Sequence, residues 1–262
     1  TLNVAGTVFS TAKKAAVLVS STAGAHITAS NVDIAEVAED KVNFVWVDED
    51  WAQHFANVQV EGATKAQEGL ENFVAQLPNG ASYKTLAAAI TAATSGQTIT
   101  LIGNTEEDVT VSKNLTIEGA DMQYTGVMTL NKVNVTVQNL NFVKGQISKS
   151  KNNNGGNVTI VNCNFDGQGM NSYAVNMART GSVVIENVTA QNYGYGFLQL
   201  SHANNELSIK DVEVMNTNYA LKIDYSNGVT IDGLKVEDVK VAAIYNSNYG
   251  AKTYTITNSD FS

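Results

Sequence analysis

The second half of the chain repeats one short pattern. Two alternating apolar residues are followed by a polar residue, then Asn, Asp or Gly, then a second alternation. Val158-Thr159-Ile160-Val161-Asn162-Cys163-Asn164-Phe165 is one copy, and Val183-Val184-Ile185-Glu186-Asn187-Val188-Thr189-Ala190 is the next. Further copies centre on Asp211, Gly233 and Asn258, and looser ones on Asn139 and Gly119. The steps from Asn162 onward are 25, 24, 22 and 25 residues; the two upstream steps are 23 and 20. Period-2 alternation on both sides of the centre means two strands meeting at a sharp corner. Asn, Asp and Gly tolerate the left-handed backbone that such a corner needs.

Between corners lies a third strand, as in Ala174-Val175-Asn176-Met177, Phe197-Leu198-Gln199-Leu200 and Ala220-Leu221-Lys222-Ile223. Three short strands in roughly 20–29 residues, with no helix, predict a solenoid. The fixed leucine spacing of leucine-rich repeats is missing. The expected fold is all-β, a parallel β-helix with rungs about 4.8 Å apart. Its corner asparagines can stack into an amide ladder.

With those corners in view, the chain resembles the right-handed parallel β-helix of the pectin lyase-like superfamily. The corner between second and third strands often carries an Asn ladder there. Asn139, Asn162, Asn187 and Asn258 match that ladder; Gly119, Asp211 and Gly233 depart from it and should interrupt it. The fold hosts lyases, hydrolases, adhesins and phage spikes, so the resemblance implies architecture before activity.

Taken in order, residues 1–62 carry the pattern more loosely, around Gly6, Asn31 and Asn57. They are expected to be rungs, either the end of a preceding solenoid or part of the same stack. Residues 63–96 are expected to be a helical linker and N-terminal cap. Lys65–Leu77 has Leu70, Phe73, Val74 and Leu77 at helical spacing and stops at Pro78, and a second helix over Tyr83–Thr94 takes Ser82 as its cap. Residues 97–262 form the main β-helix. Both ends of the chain fall inside the repeat, which points to part of a longer repetitive protein, with a head-to-tail oligomer as the alternative.

Composition removes several function classes. Net charge is −9, and Arg179 is the one arginine, so nucleic-acid binding has no electrostatic support. No stretch approaches the roughly 18 apolar residues of a membrane span. The single cysteine, Cys163, cannot form an internal disulfide and is expected in the core. His26, His54 and His202 have no zinc-site spacing.

In enzymes of the superfamily, the resemblance implies, substrate lies along the outer face of the strand before each polar turn. Alternation predicts that outward column here as Leu18, Trp46, Asn176, Gln199, Lys222 and Ile244. An exposed Trp46 can stack on a sugar ring, with polar neighbours orienting it. Asp48 and Asp50, in Asp48-Glu49-Asp50, supply carboxylates beside it. Three successive acids are read as a solvated turn rather than a calcium site. The candidate binding set is therefore Trp46, Asp48, Asp50, Asn176, Gln199 and Lys222, with no catalytic residue, metal or cofactor assigned.

Val45-Trp46-Val47-Asp48 resembles a Trp-Ile-Asp-His segment of pectate lyases, but Glu49 stands in the His position. The paired aspartates, Gly-His-Gly and Arg-Ile-Lys of polygalacturonase-like hydrolases are missing, and the connections at Val214–Ala220 and Val236–Ala242 are short. A smooth prism offers no deep cleft. The expected function is a secreted or bacterial cell-surface structural or binding module, adhesin-like and contacting polysaccharide or cell-surface glycan. The alternative is a polysaccharide lyase or glycoside hydrolase acting on the outer strand face.

Overall fold

The computed structural model describes residues 73–149, 151–152, 154–202, 206–247 and 252–262, together with the backbone of five short strands upstream. The chain divides into two compact units, Thr1–Ala92 and Ala93–Ser262.

In the first unit, β1 (Leu2–Ala5), β3 (Ile27–Ser30) and β5 (Asn57–Val58) pair in parallel, as do β2 (Val17–Val19) and β4 (Phe44–Trp46). Parallel pairing at this spacing is what stacked rungs require. Of the helix expected over Lys65–Leu77, residues 65–72 lie outside the described residues, and its end is β6 (Ala75–Gln76), which pairs antiparallel with β7 (Ser82–Tyr83). Phe73, Ala75 and Leu77 are buried, with Val74 and Gln76 more exposed between them, so period 2 decides this segment. The Pro78-Asn79-Gly80 turn closes the hairpin, with the Asn79 side chain accepting the Ala81 N–H. The second helix forms as α1 (Leu86–Ala92) and buries Leu86, Ala89 and Ile90. Thr85 caps it, its hydroxyl accepting the Ala88 N–H at 3.1 Å. Ser82 is in β7 instead, bonded to the Gln76 side chain.

The second unit is a parallel β-solenoid of about six turns. Its strands are β8 (Thr98–Leu101), β9 (Thr105–Glu106), β10 (Val109–Val111), β11 (Leu115–Glu118) and β12 (Gln123–Leu130). Then come β13 (Val135–Gln138), β14 (Asn141–Ser148), β15 (Val158–Asp166), β16 (Tyr173–Ala178), β17 (Ser182–Gln191) and β18 (Gly196–Ser201). The last are β19 (Glu206–Ile223), β20 (Gly228–Asn246), β21 (Tyr254–Thr257) and β22 (Asp260–Phe261). Each turn of chain pairs in register with the next. On the leading face, Ile99, Ile117, Val137, Ile160, Ile185, Ile209 and Ile231 form one inward column. All seven are buried, and β-branched side chains pack well on a pleated surface.

After the corner, the inward column of the second face is aromatic. Tyr124 meets Phe142 edge-on at 5.4 Å, and Phe142 stacks on Phe165 at 4.3 Å. The next residue in register is Ala190, and the space it leaves is reached from the third face by Phe197, 6.1 Å from Phe165. Cys163 is buried, and burial pushes its thiol up to about 12.

The corner asparagines stack as their spacing predicts. Asn162 Nδ2 donates to Asn139 Oδ1 at 3.0 Å, and Asn187 Nδ2 to Asn162 Oδ1 at 2.8 Å. All three have φ between 52° and 54°. Asp211 and Gly233 interrupt the ladder while keeping a positive φ, of 51° and 77°. Asn258 resumes it by donating to Asp232 at 2.7 Å. Upstream, Asn139 donates to the Glu118 carboxylate instead of to a residue at Gly119.

Candidate functional site

The third face carries the outward column on which binding was expected. Its register runs Ser148, Asn176, Gln199, Lys222, Tyr245. Asn176, Gln199 and Lys222 therefore occupy successive rungs on one face. Ile244 does not belong with them. It pairs with Leu221, whose column faces inward, and Tyr245 takes the outward place. A register shift between Thr217 and Tyr219 adds one residue to β20, which moves the count by one.

Of the upstream candidates, Trp46 lies in β4 and pairs with Val19, while Leu18 pairs with Val45, so Leu18 and Trp46 are not register partners. Asp48 and Asp50 lie outside the described residues.

Beside the polar column runs a set of tyrosines that alternation did not single out. Tyr173, Gly196 and Tyr219 are register partners on successive rungs. Gly196 makes their approach possible. Its φ is 155°, and a Cβ there would sit 2.3 Å from the Tyr219 carbonyl and 3.1 Å from the Tyr173 ring. The Tyr195 ring lies 5.8 Å from that of Tyr173, and the Tyr245 ring 5.7 Å from that of Tyr219. Tyr195 and Tyr245 are 51% and 42% exposed, so both rings present a surface to solvent, and Tyr245 is the register partner of Lys222 in the polar column.

One cation and one carboxylate lie near the tyrosines. Lys222 Nζ lies 6.0 Å from the centre of the Tyr219 ring, at the edge of cation–π range, and forms no ion pair among the described residues. Asp224 accepts a 3.0 Å hydrogen bond from Gln199 Nε2, which fixes that amide's orientation. Burial pushes the Tyr173 hydroxyl up to about 12, with Tyr219, Asp224 and Tyr195 adding to the shift. Tyr173 is therefore a neutral donor at any physiological pH. The face offers two rings for stacking, a cation, a carboxylate and two amides, a combination suited to orienting hydroxyl-bearing rings. Its weak signal in the sequence is Tyr193-Gly194-Tyr195-Gly196, where glycine follows each exposed or buried tyrosine.

Among the described residues no group of three or more His, Cys, Asp or Glu side chains is placed to hold a metal ion, and no helix is long and apolar enough to cross a membrane. Comparison with protein-family models, with curated proteins and with solved structures finds no match.

Proposed function

We propose that this chain is a secreted or cell-surface structural and binding module that contacts polysaccharide or cell-surface glycan through its third face. The observation that carries the reading is the placement of Asn176, Gln199, Lys222 and the exposed ring of Tyr245 in one register column. Stacking on an aromatic ring with hydrogen bonds at its edge recognises a sugar without requiring a deep cavity. The pattern-level resemblance to pectin lyase-like β-helices points to the same kind of ligand, and an adhesin-like role follows from a rigid shaft that displays such a face.

A second reading, a polysaccharide lyase or glycoside hydrolase, is favoured by Lys222 and Asp224, two positions apart on that face. One experiment separates the two. The protein is applied to an array of acidic and neutral glycans, and positives are assayed for unsaturated or reducing-end product. The binding reading expects retention without product, weakened roughly threefold to tenfold by Tyr245→Ala or Tyr195→Ala. Product that disappears in Lys222→Ala would replace it with the enzyme reading. No retention of any glycan would remove both.

A further inference from the structure

A second surface of the solenoid, distinct from the tyrosine column, differs from it in chemistry. A groove of about 310 Å³ runs beside the leading face, between Asn114, Asn134 and Asn157 on one side and Thr116, Thr136 and Thr159 on the other. The threonines are outward register partners on β11, β13 and β15. The asparagines stand just before those strands and form a ladder separate from that of Asn139, Asn162 and Asn187. Asn114 Oδ1 accepts the Asn134 N–H at 2.8 Å, Asn134 Oδ1 the Asn157 N–H at 2.8 Å, and Asn157 Oδ1 the Ser182 N–H at 2.9 Å.

These bonds determine what the groove offers. Each carboxamide oxygen is committed to the next rung, so each amide is held in one orientation with its Nδ2 left over. Among the described residues those three Nδ2 groups and the three threonine hydroxyls have no hydrogen-bond partner. The repeat is therefore an amide donor and a hydroxyl per rung, three times over, across two steps of about 4.8 Å, roughly 10 Å in all. Gly96 holds the matching position on the rung before Asn114 and adds no side chain to the lining, and a Cβ there would meet nothing within 4 Å. No titratable side chain lines the groove.

We propose that this groove binds a short stretch of a neutral polysaccharide lying along the solenoid axis. The lining holds no charged side chain, so it supplies no counter-charge to offset the desolvation of a phosphate, carboxylate or ammonium group. A periodic set of fixed amide donors and hydroxyls matches a polymer that repeats hydroxyl groups at a comparable interval. The groove has no aromatic ring, so recognition rests on hydrogen bonds and threonine methyls, unlike the tyrosine face, and stands or falls independently of it.

The variants keep the ladder. Asn134→Asp retains the oxygen that accepts the Asn157 N–H and replaces the amide donor. Thr136→Val retains shape and β-branching and removes the hydroxyl. Cellohexaose, xylohexaose and mannohexaose are titrated into the full chain and followed by calorimetry and by backbone amide shifts. At least one is expected to bind and to shift amides of residues 114–116, 134–136 and 157–159. Each variant should weaken that binding at least about tenfold without moving the unfolding midpoint. Tyr245→Ala should leave the shifts of those groove amides unchanged, whatever it does to sugar binding at the tyrosine face. Failure of all three sugars to bind, or binding that Tyr245→Ala abolishes and both groove variants spare, overturns the proposal. If Asn134→Asp does not fold, Thr136→Val decides alone.

Discussion

Asn162 performs two tasks at once. Its backbone turns the corner at φ 52°, and its amide donates to Asn139 while its oxygen accepts from Asn187. Replacing it separates the tasks. Asn162→Ala loses both side-chain bonds and puts a Cβ residue in the left-handed region, and is expected to cost about 2–3 kcal/mol. Asn162→Gly loses the same bonds but tolerates the backbone, so about half that cost is expected. Urea unfolding of the two variants measures the difference; equal losses would mean that the backbone conformation contributes nothing. This ladder was legible because its spacing and residue types stand in the sequence. The ladder of Asn114, Asn134 and Asn157 has equally regular steps of 20 and 23 residues, yet it was not found. Asn134 and Asn157 fall between strands, among other polar turn residues, where a loop composition hides a register. The tyrosine face was invisible for another reason. Tyr173 and Tyr219 are two rungs apart, with Gly196 between them in register, and a Cβ there would meet both the Tyr173 ring and the Tyr219 carbonyl.

At the scale of the strand, alternation predicted inward and outward residues well wherever no residue was inserted. It placed Asn176, Gln199 and Lys222 in one column, failed at Ile244 after the register shift in β20, and put Leu18 and Trp46 in one column although β2 and β4 set them one residue out of register. A bulge leaves no compositional mark in Val239-Lys240-Val241-Ala242, so counting by period slips by one. It failed also at Phe73–Leu77, the described end of the expected helix, where helical and period-2 readings share Phe73 and Leu77 and the hairpin turn decides. The aromatic column shows what inward positions contribute. Phe165 is stacked on Phe142 and is 1% exposed. Phe165→Ala should cost about 3–5 kcal/mol, because Ala190 already occupies the next position and cannot fill the space. Phe165→Leu should cost less than half of that. Thermal unfolding of both variants tests the point, and similar losses would show that the ring stacking, rather than the volume, is what the position supplies.

In the solenoid unit each rung pairs in register with its immediate neighbours, so stability is largely a sum of local terms and can be lost locally. The corner ladder makes that loss depend on pH in a specific place. Its middle, Asn139 to Asn187, is made of neutral amides, but two carboxylates act as terminal acceptors. Glu118 accepts from Gln138 and Asn139 side chains and the Ala120 N–H, and Asp232 from Asn258 and Thr257. For Glu118, burial alone would raise the pKa, and the three hydrogen bonds outweigh it and hold the group below its ordinary 4.5. For Asp232 the bonds from Asn258 and Thr257 hold it below its ordinary 3.8, with Lys210 assisting. A carboxylate whose folded pKa is depressed contributes stability above its unfolded pKa and loses it as pH falls through the folded value. Acid should therefore weaken the ladder at Glu118 and Asp232 first, below about pH 4.5, while the amide-only rungs between them keep their bonds. Amide hydrogen exchange, corrected for the intrinsic rate at each pH, reads this directly. Between pH 6 and pH 3 protection should fall in Leu115–Glu118 and Tyr254–Thr257 before it falls in Val158–Asp166. Glu118→Gln should remove the pH dependence at the first segment and leave it at the second. A uniform loss along the solenoid would instead mean that the rungs unfold as one cooperative unit and that the local carboxylates do not set the acid limit.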